Sequence, residues 1–88
     1  MDNTQRLDAI EQCLRAALMP MQLDLEDESY LHAGHDGARS GKGHFALDIC
    51  SAQFVGLTPL ARHRLIYASL GSLMQDEIHA LRINARTP

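Results

Sequence analysis

Along the first part of the chain, apolar residues change from a helical to an alternating spacing. The helical spacing is carried by Leu7, Ile10, Leu14, Ala17 and Leu18. It predicts an amphipathic helix from about residue 5 to residue 18, which Pro20 ends. Apolar residues then alternate with polar ones at Met21, Leu23 and Leu25. A period of two predicts a strand with one buried face.

A second alternating segment starts at His44. The apolar face of this segment is formed by Phe45, Leu47 and Ile49. The alternation predicts a second strand that ends near Ser51. Residues 33–43, which precede it, contain four glycines and no large apolar side chain. Because glycine favours turns, these residues are predicted to form the loop of a hairpin between the two strands.

Thr58-Pro59 marks the start of a second helix. The Thr58 hydroxyl can accept hydrogen bonds from the backbone amides of the first turn, and Pro59 stands where a missing N–H costs nothing. The helix is predicted to run from residue 59 to about residue 74. One face of it carries Leu60, His63, Ile66, Leu70 and Leu73.

A third strand completes the predicted fold. It is indicated by the alternation of His79, Leu81 and Ile83 with polar or small residues. The element order is therefore helix, strand, strand, helix, strand. A hairpin makes the first two strands antiparallel, and a right-handed crossover makes the third parallel to the second. The prediction is an α+β fold with a three-stranded mixed sheet and both helices on one face. This topology is similar to the type II KH fold, which makes nucleic-acid binding a candidate by analogy.

Length and composition narrow the class of protein. The chain has 88 residues, enough for one core, so residues 1–88 are predicted to form a single domain. Neither a signal peptide nor an apolar run long enough to cross a membrane is evident, and the two widely separated cysteines, Cys13 and Cys50, suit free thiols. We therefore expect a cytoplasmic protein without a membrane partner. No nucleophile motif, P-loop or dinucleotide fingerprint occurs, so we expect neither catalysis nor a small-molecule substrate.

Charge is distributed unevenly. The net charge is −3, but residues 1–44 carry eight acidic against four basic residues, whereas residues 45–88 carry three against four. An anionic partner such as DNA would therefore meet the second half of the chain. The basic residues there are Arg62, Arg64, Arg82 and Arg86. An ordinary solvated basic face explains them equally well.

Several short motifs, taken in order, resemble the BolA family over essentially the whole chain. They are Asp27-Glu28-Ser29, His44-Phe45, the segment 51–56, the segment 62–67 and His79-Ala80-Leu81. The resemblance implies an adaptor that binds a monothiol glutaredoxin and shares with it, and with glutathione, a [2Fe-2S] cluster. It also implies an alternative, a DNA-binding transcriptional regulator.

The same resemblance assigns the cluster ligands. It implies one histidine from the last strand, His79, and a second from the loop, where His32 and His35 are alternatives. Imidazole suits iron, and histidine replaces cysteine at some [2Fe-2S] centres. No spacing of a complete local metal site occurs, so we expect no tightly bound metal in the protein alone. From the spacing alone, a half-buried structural histidine is the more common interpretation of His79, and only the resemblance favours a ligand. We interpret His63 as a structural residue and His44 as a surface or hydrogen-bonding residue.

Overall fold

The computed structural model describes residues 1–32 and 41–88.

The first helix, α1 (Asn3–Leu18), begins earlier than its apolar pattern indicates. A capping box starts α1, because the Gln5 N–H donates to Asp2 Oδ1 (2.8 Å) and the Asp2 N–H donates to Gln5 Oε1 (2.9 Å). Met19 ends the helix in the left-handed conformation, with φ 43°.

The three predicted strands form one mixed sheet. They are β1 (Gln22–Asp27), β2 (Gly43–Cys50) and β3 (Ile78–Arg86). The order is β1-β2-β3, with β1 antiparallel and β3 parallel to β2. This arrangement confirms the predicted α+β fold and its topology.

The second helical segment differs from its prediction. The Thr58 hydroxyl accepts from the Ala61 N–H (3.1 Å) and starts α2 (Pro59–Leu70) as expected. The predicted continuation to residue 74 is wrong, because Gly71, with φ 57° and ψ −130°, ends α2 before the short helix α3 (Ser72–Asp76). In the part of the chain that the structure describes, no helix is long and apolar enough to cross a membrane.

The core lies between the helices and one face of the sheet. Its buried side chains are Ile10, Leu14, Leu18, Phe45, Leu47, Ile49, Phe54, Ile66, Leu70 and Ile78. Three apolar residues that the sequence pattern predicts on buried faces are instead exposed: Met21 at 70%, Leu60 at 59%, and Ala17. Among the described residues, no α-helix packs on the other face of the sheet, which is called the open face below. Its side chains include Asp24, Glu26, Ala46, Asp48, Arg82 and Asn84.

Candidate functional site

His79 lies on a β-bulge at the start of β3. Gly43 pairs with Ile78 and His44 pairs with Ala80, so His79 has no partner in the ladder between β2 and β3. Such an extra residue re-aims its side chain. The predicted alternation of His79 with Leu81 is therefore interrupted, and His79 is exposed whereas Leu81 is half-buried.

The buried side chain of His44 lies against the side chain of His79. His44 alternates with the core residue Phe45 and so belongs to the open face, where the sequence predicts a surface or hydrogen-bonding residue. The surface alternative is wrong, because His44 is only 5% exposed. Its ring contacts the His79 ring, with centroids 4.8 Å apart and planes tilted by 48°. The two imidazoles together form one edge of the site.

The Asp27-Glu28-Ser29 motif acts as a hydrogen-bonded clamp. The Ser29 N–H donates to Asp27 Oδ1 (2.8 Å), and the Asn3 amide donates to Asp27 Oδ2 (3.0 Å) and to Ser29 Oγ (3.1 Å). Ser29 Oγ also accepts from the His44 N–H (3.0 Å), and His44 O accepts from the Glu28 N–H (2.7 Å). These bonds join α1, the end of β1 and the start of β2.

A single turn of 3₁₀ helix, Ser29–His32, follows the clamp and is called the 3₁₀ turn below. Tyr30 and Leu31 are 75% and 55% exposed on it. Leu31 also lines a cavity of about 420 Å³ beside the histidine pair. The other residues of its lining are Glu28, His44, Phe45, Ala80, Leu81 and Arg82. The site therefore has an apolar rim next to the imidazoles.

Of the two predicted loop ligands, His32 and His35, the structure describes only the backbone of His32. The backbone of His32 ends the 3₁₀ turn, immediately after the cavity residue Leu31. His35 lies outside the described residues, so the choice between His32 and His35 stays open. His63 lies half-buried on α2.

The four arginines do not share one environment. The Arg62 guanidinium donates to Leu57 O (3.0 Å) and Ala85 O (3.1 Å), so it ties α2 to the end of β3. Arg62 therefore has a structural role in addition to any contact with a partner. Arg64, on the same helix, is exposed.

The other two arginines form ion pairs. Arg82 contacts Glu28 (2.8 Å), and Arg86 contacts Asp48 (2.8 Å). The hydrogen bond from Arg82 to Glu28 also raises the pKa of Arg82 above its ordinary value. Their neighbours on the open face include the acidic Asp24 and Glu26. Anionic ligands would therefore meet carboxylates as well as guanidinium groups on this face. DNA contact by the four arginines stays a prediction.

Asp27 is the ionisable centre of the clamp. Burial alone would raise its pKa, but the hydrogen bonds from Ser29 and Asn3 and the nearby charge of Arg6 outweigh burial. Together they hold the pKa of Asp27 below its ordinary value of 3.8. Because the folded pKa is lowered, the ionised carboxylate stabilises the fold above the unfolded pKa. That stabilisation is lost as the pH falls through the folded pKa.

We expect Asp27→Asn to lower the free energy of unfolding by about 1–2 kcal/mol near neutral pH, because the charged acceptor of the clamp is lost. The deficit should shrink as the pH falls from the ordinary value of 3.8 through the lowered pKa of folded Asp27, because the wild-type carboxylate then becomes protonated as well. Urea unfolding across this pH range measures both effects. Asp8→Asn, at an exposed acid on α1, is the control. A deficit that stays constant at every pH would contradict the role of the Asp27 charge.

The donors at this edge suit a shared metal centre. His79 is exposed on a strand, and its ring contacts the ring of His44. The His44 N–H in turn donates to Ser29, the first residue of the 3₁₀ turn that ends at His32. Imidazole nitrogen is a good ligand for iron. Within residues 1–31 and 41–88, no three His, Cys, Asp or Glu side chains are grouped to hold a metal ion.

Comparison with known proteins gives consistent matches. A model of the BolA-like protein family matches residues 14–88. BolA-like protein 1 of Pongo abelii is 45% identical over 80 residues, which cover 91% of this chain and 56% of that protein. The DNA-binding transcriptional regulator BolA of Escherichia coli (strain K12) is 39% identical over 80 residues, 91% of this chain and 73% of the relative.

A solved structure agrees with these matches. The BolA domain of SufE1 from Arabidopsis thaliana has a TM-score of 0.83 and 44% identity, and the match covers 94% of this chain and 92% of that one. The chain spans little more than half the length of the BolA-like protein 1 relatives that it matches.

Proposed function

Since this chain belongs to the BolA family, we propose that it is an adaptor that binds a monothiol glutaredoxin and shares a [2Fe-2S] cluster with it. In this proposal the glutaredoxin and glutathione supply thiolate ligands, and the chain supplies imidazole ligands. The protein acts without catalysis and in the cytoplasm.

The observation that carries the proposal is the exposed His79 on its bulge. A histidine that serves as a ligand to a partner-borne cluster needs a free ring nitrogen at the surface and a backbone that holds it in place. The bulge exposes the ring, and β2 and β3 hold the backbone on either side of it. His32, at the end of the 3₁₀ turn, is the proposed second ligand, with His35 as its alternative.

The apolar rim supports binding to a protein partner. Leu31 lines the cavity, and both Leu31 and the preceding Tyr30 are large and exposed. Aromatic and aliphatic side chains around a concave site are typical of the buried centre of protein interfaces. In the complex, these side chains would exclude water from the cluster and from His79. The presence of a BolA domain in a SufE-like protein of Arabidopsis supports an iron–sulfur-related role.

A titration tests the proposal. The isolated protein is first analysed for iron and zinc, and neither should be present in stoichiometric amount. It is then added to a cluster-loaded monothiol glutaredoxin while visible absorption and circular dichroism are recorded. We expect a new spectrum that saturates as the complex forms, because imidazole replaces another ligand of the cluster. An unchanged cluster spectrum at saturating protein would reject cluster sharing.

DNA binding is the second candidate function, and the name of the Escherichia coli relative favours it. Arg64 is exposed on α2, whereas Arg62 on the same helix is half-buried and bonds backbone carbonyls. The negative net charge and the acids of the open face oppose strong binding to a polyanion.

If DNA binds through α2, Arg64→Ala should lower the salt slope of the binding constant by about one unit, because one phosphate contact is lost. Fluorescence anisotropy with duplex DNA at several salt concentrations measures this slope. Arg15→Ala, which changes an exposed arginine on α1, is the matched control. Equal slopes for the wild type and Arg64→Ala would place the contact elsewhere.

A further inference from the structure

We propose that His44 is a positioning residue that fixes the orientation of the His79 ring and links it to the 3₁₀ turn that carries His32. The inference rests on the proposed function, because it concerns how the chain presents its two imidazole ligands.

The first step concerns what holds His79. Because His79 is the extra residue of a bulge, pairing between β2 and β3 does not fix its direction. Its ring is exposed on one side and contacts the His44 ring on the other, at 4.8 Å between centroids. The His44 ring therefore limits the rotation of the His79 side chain on that side.

The second step concerns what holds His44. Its ring is 5% exposed, and its backbone pairs with Ala80 on β3. Its N–H donates to Ser29 Oγ, and its carbonyl accepts from the Glu28 N–H. These contacts hold the His44 backbone in place, so its buried ring can restrict the rotation of the His79 side chain.

The third step joins the two ligand segments. Glu28 directly precedes the 3₁₀ turn, and Ser29 is its first residue. His44 therefore contacts the segment leading to His32 through its backbone and contacts His79 through its ring. A change at His44 would alter how the two ligands are placed relative to each other. Groups that orient the ligands of a metal typically matter about 10–100-fold in metal affinity.

The test separates orientation from folding. Affinities of the His44→Ala protein for a monothiol glutaredoxin are measured with and without the [2Fe-2S] cluster. We expect the affinity for the cluster-loaded form to fall by about 10–100-fold, with the affinity for the cluster-free form unchanged. His44→Phe keeps a planar ring at the same place and should restore most of the loss. His63→Ala changes a half-buried histidine on α2 and should resemble the wild type.

Two results would overturn the inference. One is a folded His44→Ala protein with wild-type affinity and spectrum in the cluster-loaded complex. The other is an equal loss of affinity for both forms of the glutaredoxin, which would give His44 only a structural role. If His44→Ala does not fold, His44→Leu replaces it, since leucine fills the space but lacks a planar ring. The same loss for the cluster-loaded form is expected of His44→Leu.

A measurement on the isolated protein keeps this inference separate from the proposed function. Nuclear magnetic resonance relaxation of the His79 ring nitrogens should show greater ring motion in His44→Leu than in the wild type. Unchanged ring motion would contradict the positioning role. If the wild type leaves the glutaredoxin cluster spectrum unchanged, the proposed function fails, whereas the ring motion still shows whether His44 holds His79.

Discussion

The His79→Ala protein should no longer produce the spectral change that the wild type imposes on a cluster-loaded monothiol glutaredoxin. His79 is the histidine on the exposed bulge, and no other histidine lies on β3. His32→Ala should lose only part of the change, because His35 lies three residues further along the chain and could replace it. Visible circular dichroism of each complex measures the effect.

The variants need to remain folded for this result to be informative. Because His79 is exposed and outside the ladder, alanine there should change the free energy of unfolding by less than about 0.5 kcal/mol. His63→Ala serves as the histidine control. A wild-type cluster spectrum and affinity for the His79→Ala protein would show that the ligand is assigned to the wrong residue.

Gly43→Ala should destabilise the fold by about 1–3 kcal/mol, the usual cost of overpacking a core. A Cβ atom on Gly43 would overlap Cζ and Cε2 of the Phe45 ring and would lie 3.1 Å from Asn3 Oδ1. Phe45 is only 1% exposed, so its ring has little space into which it can move. Chemical denaturation of the wild type and of Gly43→Ala measures the loss.

A double-mutant cycle identifies the cause of that loss. In a Phe45→Leu background the overlapping ring atoms are absent, so the added methyl group of Gly43→Ala should cost clearly less than it does in the wild type. An equal cost in both backgrounds would mean that the backbone, rather than the Phe45 ring, requires glycine at this position.

The elements with a regular side-chain period could be predicted from the sequence. β1 and β2 have one apolar face each, and Thr58-Pro59 contains the chemistry that starts α2. The end of α2 was predicted wrongly because the apolar spacing continues past Gly71 to Leu73. The backbone conformation of Gly71 nevertheless stops the helix.

The candidate site could be predicted less well than the helices and strands, because its geometry depends on tertiary contacts. Whether β3 contains a bulge is decided by its pairing with β2, which a single strand pattern does not contain. Likewise, alternation places His44 on the open face, but its burial depends on contacts made by the segment after β1. The motif Asp27-Glu28-Ser29 carries part of the family resemblance, and its hydrogen bonds to Asn3 and His44 give it a physical role.

Basic residues show the same limit of sequence patterns. Arg62 and Arg64 are the same residue type on one helix. The Arg62 guanidinium nevertheless bonds two backbone carbonyls, whereas Arg64 is exposed. Only the structure separates a residue that joins α2 to β3 from one that is free to contact a partner.

The most direct test of cluster sharing is to detect nitrogen from this chain on the iron. The protein is labelled with ¹⁵N-histidine, mixed with an unlabelled, cluster-loaded monothiol glutaredoxin, reduced, and studied by electron–nuclear double resonance. We predict ¹⁵N hyperfine coupling to the reduced [2Fe-2S] cluster, with the His79 contribution absent from the His79→Ala complex. A complex that forms but shows no ¹⁵N coupling would contradict the account, since no imidazole of this chain would then bind the iron.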